Sequence, residues 1–480
     1  MVTINYLIIT IIFTGIMAII FAKKKSVQNY VVLLLSFLAL VEYFFIFKKF
    51  SSSKEKFEFF RVLNFEFSLE PIGAVFILMA LVLWLCNNLY SISYFQKNKS
   101  LNQTKIYFYI SISVLFTILI GLSKNLLQTF ILYEILTIST YPLVANNFTP
   151  IEKQSSGFYI KFLMTSSMFL FLPALLFLQS KYGNLEYHEL HKISANHCLI
   201  LSLMFIFGIS KAAIVPMHFW LPKAMVAPIP VSALLHAVAV VKSGIFILIK
   251  IFLYVFGLEI MQTLPKFLGV NIVTIVIAIS LLTSSIIAVY QNSLKKLLAY
   301  STINQLSICL LSLSLFNKTG VVAAVLHMLS HAMAKITLFF GAGYIHSNTG
   351  ISDIDKMSGI AKRMPFTCLF FMICALSIIG IPLLAGFISK SYIMVAAFEG
   401  DTKYFAILIL AVSILFTANY FVRLVYRFYI VPYQQHGNRE IQSERYDSTM
   451  LMAMLLSTFM VLCFFMVYQD IINLLYRTFE

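Results

Sequence analysis

Charge is what this sequence has least of: 11% of its 480 residues are Asp, Glu, Lys or Arg, where a water-soluble domain carries about a quarter. A chain that is 60% hydrophobic and so sparsely charged is excluded as a soluble globule and expected in a bilayer. Forty-six Phe and twenty-five Tyr support many spans and not a single anchor. No basic run adjoins a soluble domain, so the formal charge of +16 does not point to nucleic acid; lysine excess is what cytoplasmic loops of membrane proteins carry. The six cysteines, Cys86, Cys198, Cys309, Cys368, Cys374 and Cys463, include no CxxC pair. They lie in or beside apolar stretches and are expected as packed thiols, neither disulfides nor metal ligands. His188, His191 and His197 share a polar loop with no cysteine pair, so no metal site is expected. Phosphate-binding loops, a GxGxxG after a strand and a nucleophile elbow are all missing, so no cofactor and no catalytic motif is expected in this chain. The first apolar run has no basic residue before it, whereas Lys23, Lys24 and Lys25 follow it. That predicts a retained first helix with its N-terminus outside.

What is present is apolar runs near twenty residues long, the length that crosses a bilayer. They predict an all-α polytopic membrane protein of about fourteen helices, over 3–22, 29–48, 68–93, 106–122, 125–145, 157–179, 197–215, 230–252, 270–290, 296–315, 320–346, 366–395, 403–430 and 449–475. With the N-terminus outside, the inner loops hold Lys97, Lys99, Lys105, Lys153, Lys295, Lys296, Lys356, Lys362, Arg363, Arg439 and Arg445, as the positive-inside rule requires. The loop from Lys48 to Arg61 is the exception. The organisation expected is an N-terminal three-helix segment (1–105), two five-helix repeats (106–252 and 270–430), and a C-terminal loop with a final helix (431–480). Five is odd, so the two repeats have opposite orientation, the arithmetic of an inverted repeat. Each carries a proline-interrupted fourth helix, Lys211 with Pro216 in one and Pro382 with Lys390 in the other. The third helices share a lysine, Lys161 and Lys335.

A lysine at membrane depth costs about 2.5–3.5 kcal/mol on insertion scales, so Lys211 and Lys242 need a reason to be there. Pro216, Pro222, Pro228 and Pro230 break the surrounding helices, and freed backbone is tolerated only inside protein or beside a water-filled cavity. Glu134 stands alone in FILYEILTISTYPL and needs a cationic partner or water, and the lysines of the seventh helix are candidates for the partner. Lys211, Lys242, Lys335 and Lys390 are candidate relay sites, because a buried lysine can load and release protons near neutral pH. His327, His331 and Lys335 recur every four residues on one helix face and read as a proton wire. His236 suits either a relay or a satisfied core histidine. It is six residues from Lys242, about 120° around the helix, so the two do not line one channel in the same way. Lys250 and His346, near span ends, are expected at the interface, and Lys223 in a loop.

The runs WLPKAMVAPIPVSALLHAVAVVKSG, QNSLKKLLAYSTINQ, HMLSHAMAK and IPLLAGFISK resemble the proton-translocating antiporter-like membrane subunits. That family is shared by respiratory complex I (its L, M and N chains), Mrp-type multisubunit cation/proton antiporters (their A and D chains) and membrane-bound hydrogenases. The resemblance implies broken seventh and twelfth helices. It also implies a relay of Glu134, Lys211, His236, Lys242, His327, His331, Lys335 and Lys390 in the cell inner membrane. Implied partners are other membrane subunits, protons, Na+ or K+, and the lipid bilayer. There are departures: Lys223 replaces a usual acid, Asn292 a common aspartate and Glu70 another. The length and Lys390 favour resemblance to the D chain of an Mrp antiporter; the alternative is a complex I or hydrogenase subunit, which would make the chain part of a translocase.

Overall fold

The computed structural model describes residues 2–53, 57–62, 65–99, 102–147, 149–183, 185–187, 193, 195–400, 402–432 and 448–480. Arg439, Arg445, His188 and His191 lie outside the described residues. The chain opens with α1 (Val2–Ile20) and α2 (Lys25–Ser52), which present many large apolar side chains outward. A hairpin of β1 (Phe57–Val62) and β2 (Phe65–Leu69) leads into α3 (Pro71–Lys97), whose proline sits in the first turn, where its missing N–H is harmless. Next come α4 (Gln103–Leu122), α5 (Leu126–Val144), α6 (Pro150–Ser166) and α7 (Leu172–Tyr182). A π-turn, Ser167–Phe171, joins α6 to α7 just before Pro173, which has no N–H for the regular ladder.

The following helices are shorter. They are α8 (Ala195–Gly208), α9 (Trp220–Lys223), α10 (Ile229–Ala237), α11 (Val240–Lys250) and α12 (Leu258–Gln262). A two-residue ribbon of β3 (Lys266–Phe267) and β4 (Val270–Asn271) precedes α13 (Ile272–Val289), α14 (Leu294–Leu313) and α15 (Lys318–Thr349). Then come α16 (Pro365–Ile379), α17 (Ala385–Phe398), α18 (Lys403–Tyr429) and α19 (Ser448–Tyr476). Among the described residues, ten helical stretches are long and apolar enough to cross a membrane, and four shorter ones are apolar. The protein is a polytopic helical membrane protein. The central stretches, α10–α11 and α15 from Thr319 to Ile345, are wholly buried.

Three interruptions differ in kind. The expected helix 197–215 ends at Gly208 and gives way to a short 3-10 turn, Ser210–Ala212. The expected helix 366–395 is two helices, with Gly380 and Leu383 both at positive φ between them. A third break lies inside 230–252, where a continuous helix is expected: Val238 N and Ala239 N both donate to Leu234 O, so one residue is wound in extra. Glycine explains how α11 packs here. A Cβ on Gly244 would lie 2.5 Å from Ala212 N, so α11 can cross the first break only at glycine.

The lysine-rich loops gather at one end of the bundle. Gln103 donates to Gln28 and Asn29, Lys105 to the carbonyls of Ala145 and Asn146, and Lys97 to Asn348. At the other end Lys124, in the α4–α5 turn, is held by Glu66 at 3.0 Å and Glu58 at 3.2 Å. The two hairpin carboxylates, Glu66 first, keep its ammonium above the usual lysine range. Lys161 is exposed on α6 whereas Lys335 is buried on α15, so the two lysines read as equivalent from sequence occupy different surroundings.

Gly244→Ala is expected to lower the unfolding temperature of the detergent-purified protein, since overpacking of this kind costs about 1–3 kcal/mol. Gly157→Ala on α6, where a Cβ meets nothing within 4 Å, is the control and should hold or raise it. Equal midpoints for the two variants would contradict the close crossing.

Candidate functional site

The first break is built around Lys211. Gly208 lets the end of α8 lie against the π-turn, where a Cβ would come 2.5 Å from Phe171 N. The backbone freed beyond it is satisfied by side chains. Trp220 Nε1 donates to Ser210 O at 2.9 Å, Lys211 N to the Tyr133 hydroxyl at 3.3 Å, and Val215 N to Ser280 Oγ at 3.0 Å. The Lys211 ammonium donates to the Tyr133 carbonyl and sits 3.6 Å from that ring's centroid. Tyr133 is thus its immediate partner, one residue from Glu134. Both Glu134 carboxylate oxygens are buried with no hydrogen-bond partner among the described residues.

The second part of the site lies between α11, α15 and α17. Lys242 Nζ is 2.5 Å from His331 Nδ1. One turn along α15, His327 Nδ1 is 2.9 Å from Ser389 Oγ, which is 3.1 Å from Ser330 Oγ. Ser389 adjoins Lys390, whose Nζ donates to Ile378 O at 2.6 Å and Ile379 O at 2.9 Å, the last carbonyls of α16. The negative end of that helix therefore holds the cation. Lys335 Nζ has no hydrogen-bond partner among the described residues and lies 5.9 Å from the Phe421 ring. His236 turns elsewhere, its Nδ1 3.2 Å from Thr302 Oγ1 and its ring 4.7 Å from Phe339. The contacts Lys242–His331 and His327–Ser389 thus line up as a string along α15, one turn apart, with Lys390 next to Ser389 in sequence. Glu134 and Lys211 adjoin through Tyr133, and His236 and Lys335 flank the string. Lys223 lies in the one-turn α9 over the Phe158 ring at 3.5 Å, off this string.

The architecture is that of a polytopic helical membrane protein with interrupted helices and buried lysines and histidines. A family model described as NADH:quinone oxidoreductase/Mrp antiporter, transmembrane, matches residues 123–417, and the chain belongs to that family. It is 31% identical to the NADH-ubiquinone oxidoreductase chain 5 of Metridium senile over 71% of this chain and 56% of that one. It is 30% identical to the putative antiporter subunit mnhA2 of Staphylococcus haemolyticus over 77% of this chain and 48% of the relative. The chain thus spans about half the length of these curated relatives. Its fold is shared by a chain of the membrane-bound sulfane sulfur reductase, an archaeal respiratory membrane complex, with a TM-score of 0.85, 22% identity and coverage of 98% and 96%. A chain of the Mrp complex from Dietzia sp. matches with a TM-score of 0.81, 20% identity and coverage of 99% and 52%.

Sequence reasoning missed Tyr133, Ser389 and Thr302, since a neutral hydroxyl inside an apolar run carries no signal of its own. It also gave Lys250 no partner. Expected near a span end, Lys250 is 1% exposed and pairs with Glu70, 12% exposed, at 3.2 Å. Its Nζ also donates to Ser123 O at 2.5 Å and lies 4.4 Å from the Tyr187 ring. The sequence signal was there in Glu70, one of few acids, but its partner is far along the chain. Lys250→Met is expected to lower stability by about 3–5 kcal/mol, because it takes the cation away from a largely buried carboxylate. Adding Glu70→Gln should recover part of that loss. Thermal unfolding in detergent reads both effects, and a wild-type midpoint for Lys250→Met would refute the buried pair.

Proposed function

We propose that this chain is a proton-translocating membrane component of a multisubunit monovalent-cation (Na+ or K+):proton antiporter of the Mrp kind, with Glu134, Lys211, His236, Lys242, His327, His331, Lys335 and Lys390 as its relay. The observation that carries the reading is the 2.5 Å contact of Lys242 Nζ with His331 Nδ1. Two groups that each exist as base or conjugate acid share one proton across it, so the charge can move between α11 and α15 without a bond other than N–H changing. From His331 the route runs one turn to His327, through the Ser389 hydroxyl, to Lys390. At the other end Lys211 exchanges its carbonyl partner for the Glu134 carboxylate, and that exchange sets whether Lys242 keeps or passes its proton. Moving one charge through 100 mV requires about 2.3 kcal/mol, which a change of roughly two pKa units in a relay lysine supplies.

The reading includes two inverted five-helix units, 106–252 and 270–430, supported by the breaks at Gly208 and Gly380, and an outside N-terminus in a plasma membrane. Likeness to the D chain of such an antiporter rests on Lys390. A second reading, a proton-pumping component of NADH:quinone oxidoreductase, is favoured by the chain 5 relative. Iron–sulfur and flavin partners in the purified native complex decide for it; small membrane partners decide for the antiporter. In proteoliposomes holding the assembled complex, Lys211→Ala should abolish cation-driven proton flux while the protein still inserts. Full flux in that variant would end the relay reading.

A further inference from the structure

α3 carries a buried polar face that the relay does not use. Trp84, Asn87, Asn88 and Ser91 follow one another at helical spacing, so they form one side of the helix. All four are buried. Trp84 Nε1 and both amide atoms of Asn87 and of Asn88 have no hydrogen-bond partner among the described residues. Buried polar atoms left unpaired are destabilising, so five in one patch point to a ligand that pairs them.

The packing shows what this face meets. α3 and the α10–α11 pair run in opposite directions, because Phe76 early in α3 stacks on Phe246 of α11 at 4.4 Å while Tyr94 late in α3 accepts from Ile229 N at 3.3 Å. Asn87 is eleven residues past Phe76 and seven before Tyr94, about three and two helical turns. It therefore shares their face, the one turned to α10 and α11. His236 is seven residues past Ile229, so Asn87 and His236 both lie about 10 Å from the Tyr94–Ile229 contact. They stand at one depth, on helices that pack together. His236 spends Nδ1 on Thr302, and its Nε2 is unpaired among the described residues.

We propose that Asn87 and Asn88, with Trp84, form a buried water-binding site that hydrates His236 Nε2 and feeds protons to it from the α3 side. Water, and not a metal cation, fits the donor set. The unpaired atoms include three N–H-bearing nitrogens as well as two oxygens, and an amide pair can both donate to and accept from water. α3 packs against α2, α4, α10, α15 and α19. The carboxylates in those helices are Glu42, which accepts from Thr10 of α1, and Asp470, which is exposed near the end of α19. The tyrosines Tyr43 and Tyr107 have other partners, the Ala74 carbonyl and Asn29. The basic groups of α10 and α15 are His236, His327, His331 and Lys335, with Lys318 and His346 near the two ends of α15 and Lys242 beyond the break. A metal cation would meet positive charge there and no counter-charge. Ser91 Oγ donates to Asn87 O at 2.6 Å, which continues the polar face toward the lysine-rich end.

The inference rests on the proton-transfer reading and can fail apart from it. The experiment compares wild type, Asn87→Leu/Asn88→Leu and Asn87→Ser as the assembled complex in proteoliposomes, with a pH-sensitive dye, and records thermal unfolding of each in detergent. The double leucine variant is expected to lose proton flux about tenfold or more while unfolding at or above the wild-type temperature, since it removes unpaired polar atoms. Asn87→Ser, which still holds water, should stay within about threefold of wild type. Unchanged flux in the leucine variant overturns the proposal, and so does a heat stabilisation of wild type by Na+ or K+ that the leucine variant lacks, which would make the site a cation site. If the leucine variant fails to fold, Asn87→Ser decides: a tenfold loss there overturns the water site. Absence of flux in wild type removes the proton-transfer reading itself.

Discussion

Every backbone group freed by a broken helix at membrane depth must find its partner inside the protein, because hydrocarbon supplies none. This chain meets the requirement with side chains drawn from distant helices. At the first break the partners are Trp220, Tyr133 and Ser280. At the second, Ser377 Oγ accepts from Gly386 N at 3.1 Å, and Lys390 takes the two last carbonyls of α16. The same rule runs in reverse for the lysines. With 19 acids against 35 bases, few carboxylates are available, and backbone carbonyls take their place: Tyr133 O for Lys211, Ile378 O and Ile379 O for Lys390. A carbonyl is a dipole and not a charge, so it steadies an ammonium less firmly than a carboxylate does. Cations held in this way are buried yet not locked, which is the condition a proton carrier needs.

Much of this was legible in the sequence, because its strongest terms are local. Lengths of apolar runs locate helices, and a proline inside a run marks a break; Pro216 and Pro382 do this plainly. The four-residue recurrence of His327, His331 and Lys335 gives a helix face without any structure. What was not legible depends on partners far along the chain. The break at Val238–Ala239 has no proline to announce it, and nothing near Lys250 says that Glu70 lies against it. The third-helix lysines show the limit of pattern matching: Lys161 and Lys335 share a spacing, but one faces outward and the other inward. Asn87 and Asn88 were equally silent, since a pair of amides in an apolar helix is noticed only once both are seen to lack partners.

The breaks at Lys211 and at Lys390 differ in charge as well as in build, and the difference has a consequence for control. Lys390 rests on two carbonyls at the C-terminal end of a helix, where the dipole favours a cation; among the described residues no carboxylate lies within salt-bridge distance of it. Its charge is therefore set by a fixed part of the fold. Lys211 rests on a single carbonyl beside a carboxylate with both oxygens unpaired. It has two competing partners, and the more strongly attracting one is not engaged. A small movement at Gly208 or in the π-turn against which it packs would shift Lys211 between them, and α11 would feel the shift, since Gly244 lies against the backbone of Lys211 and Ala212. Bistability of this kind is what a switch requires. In the proposed relay the string from Lys242 to Lys390 would carry the proton, and the first break would set when it does.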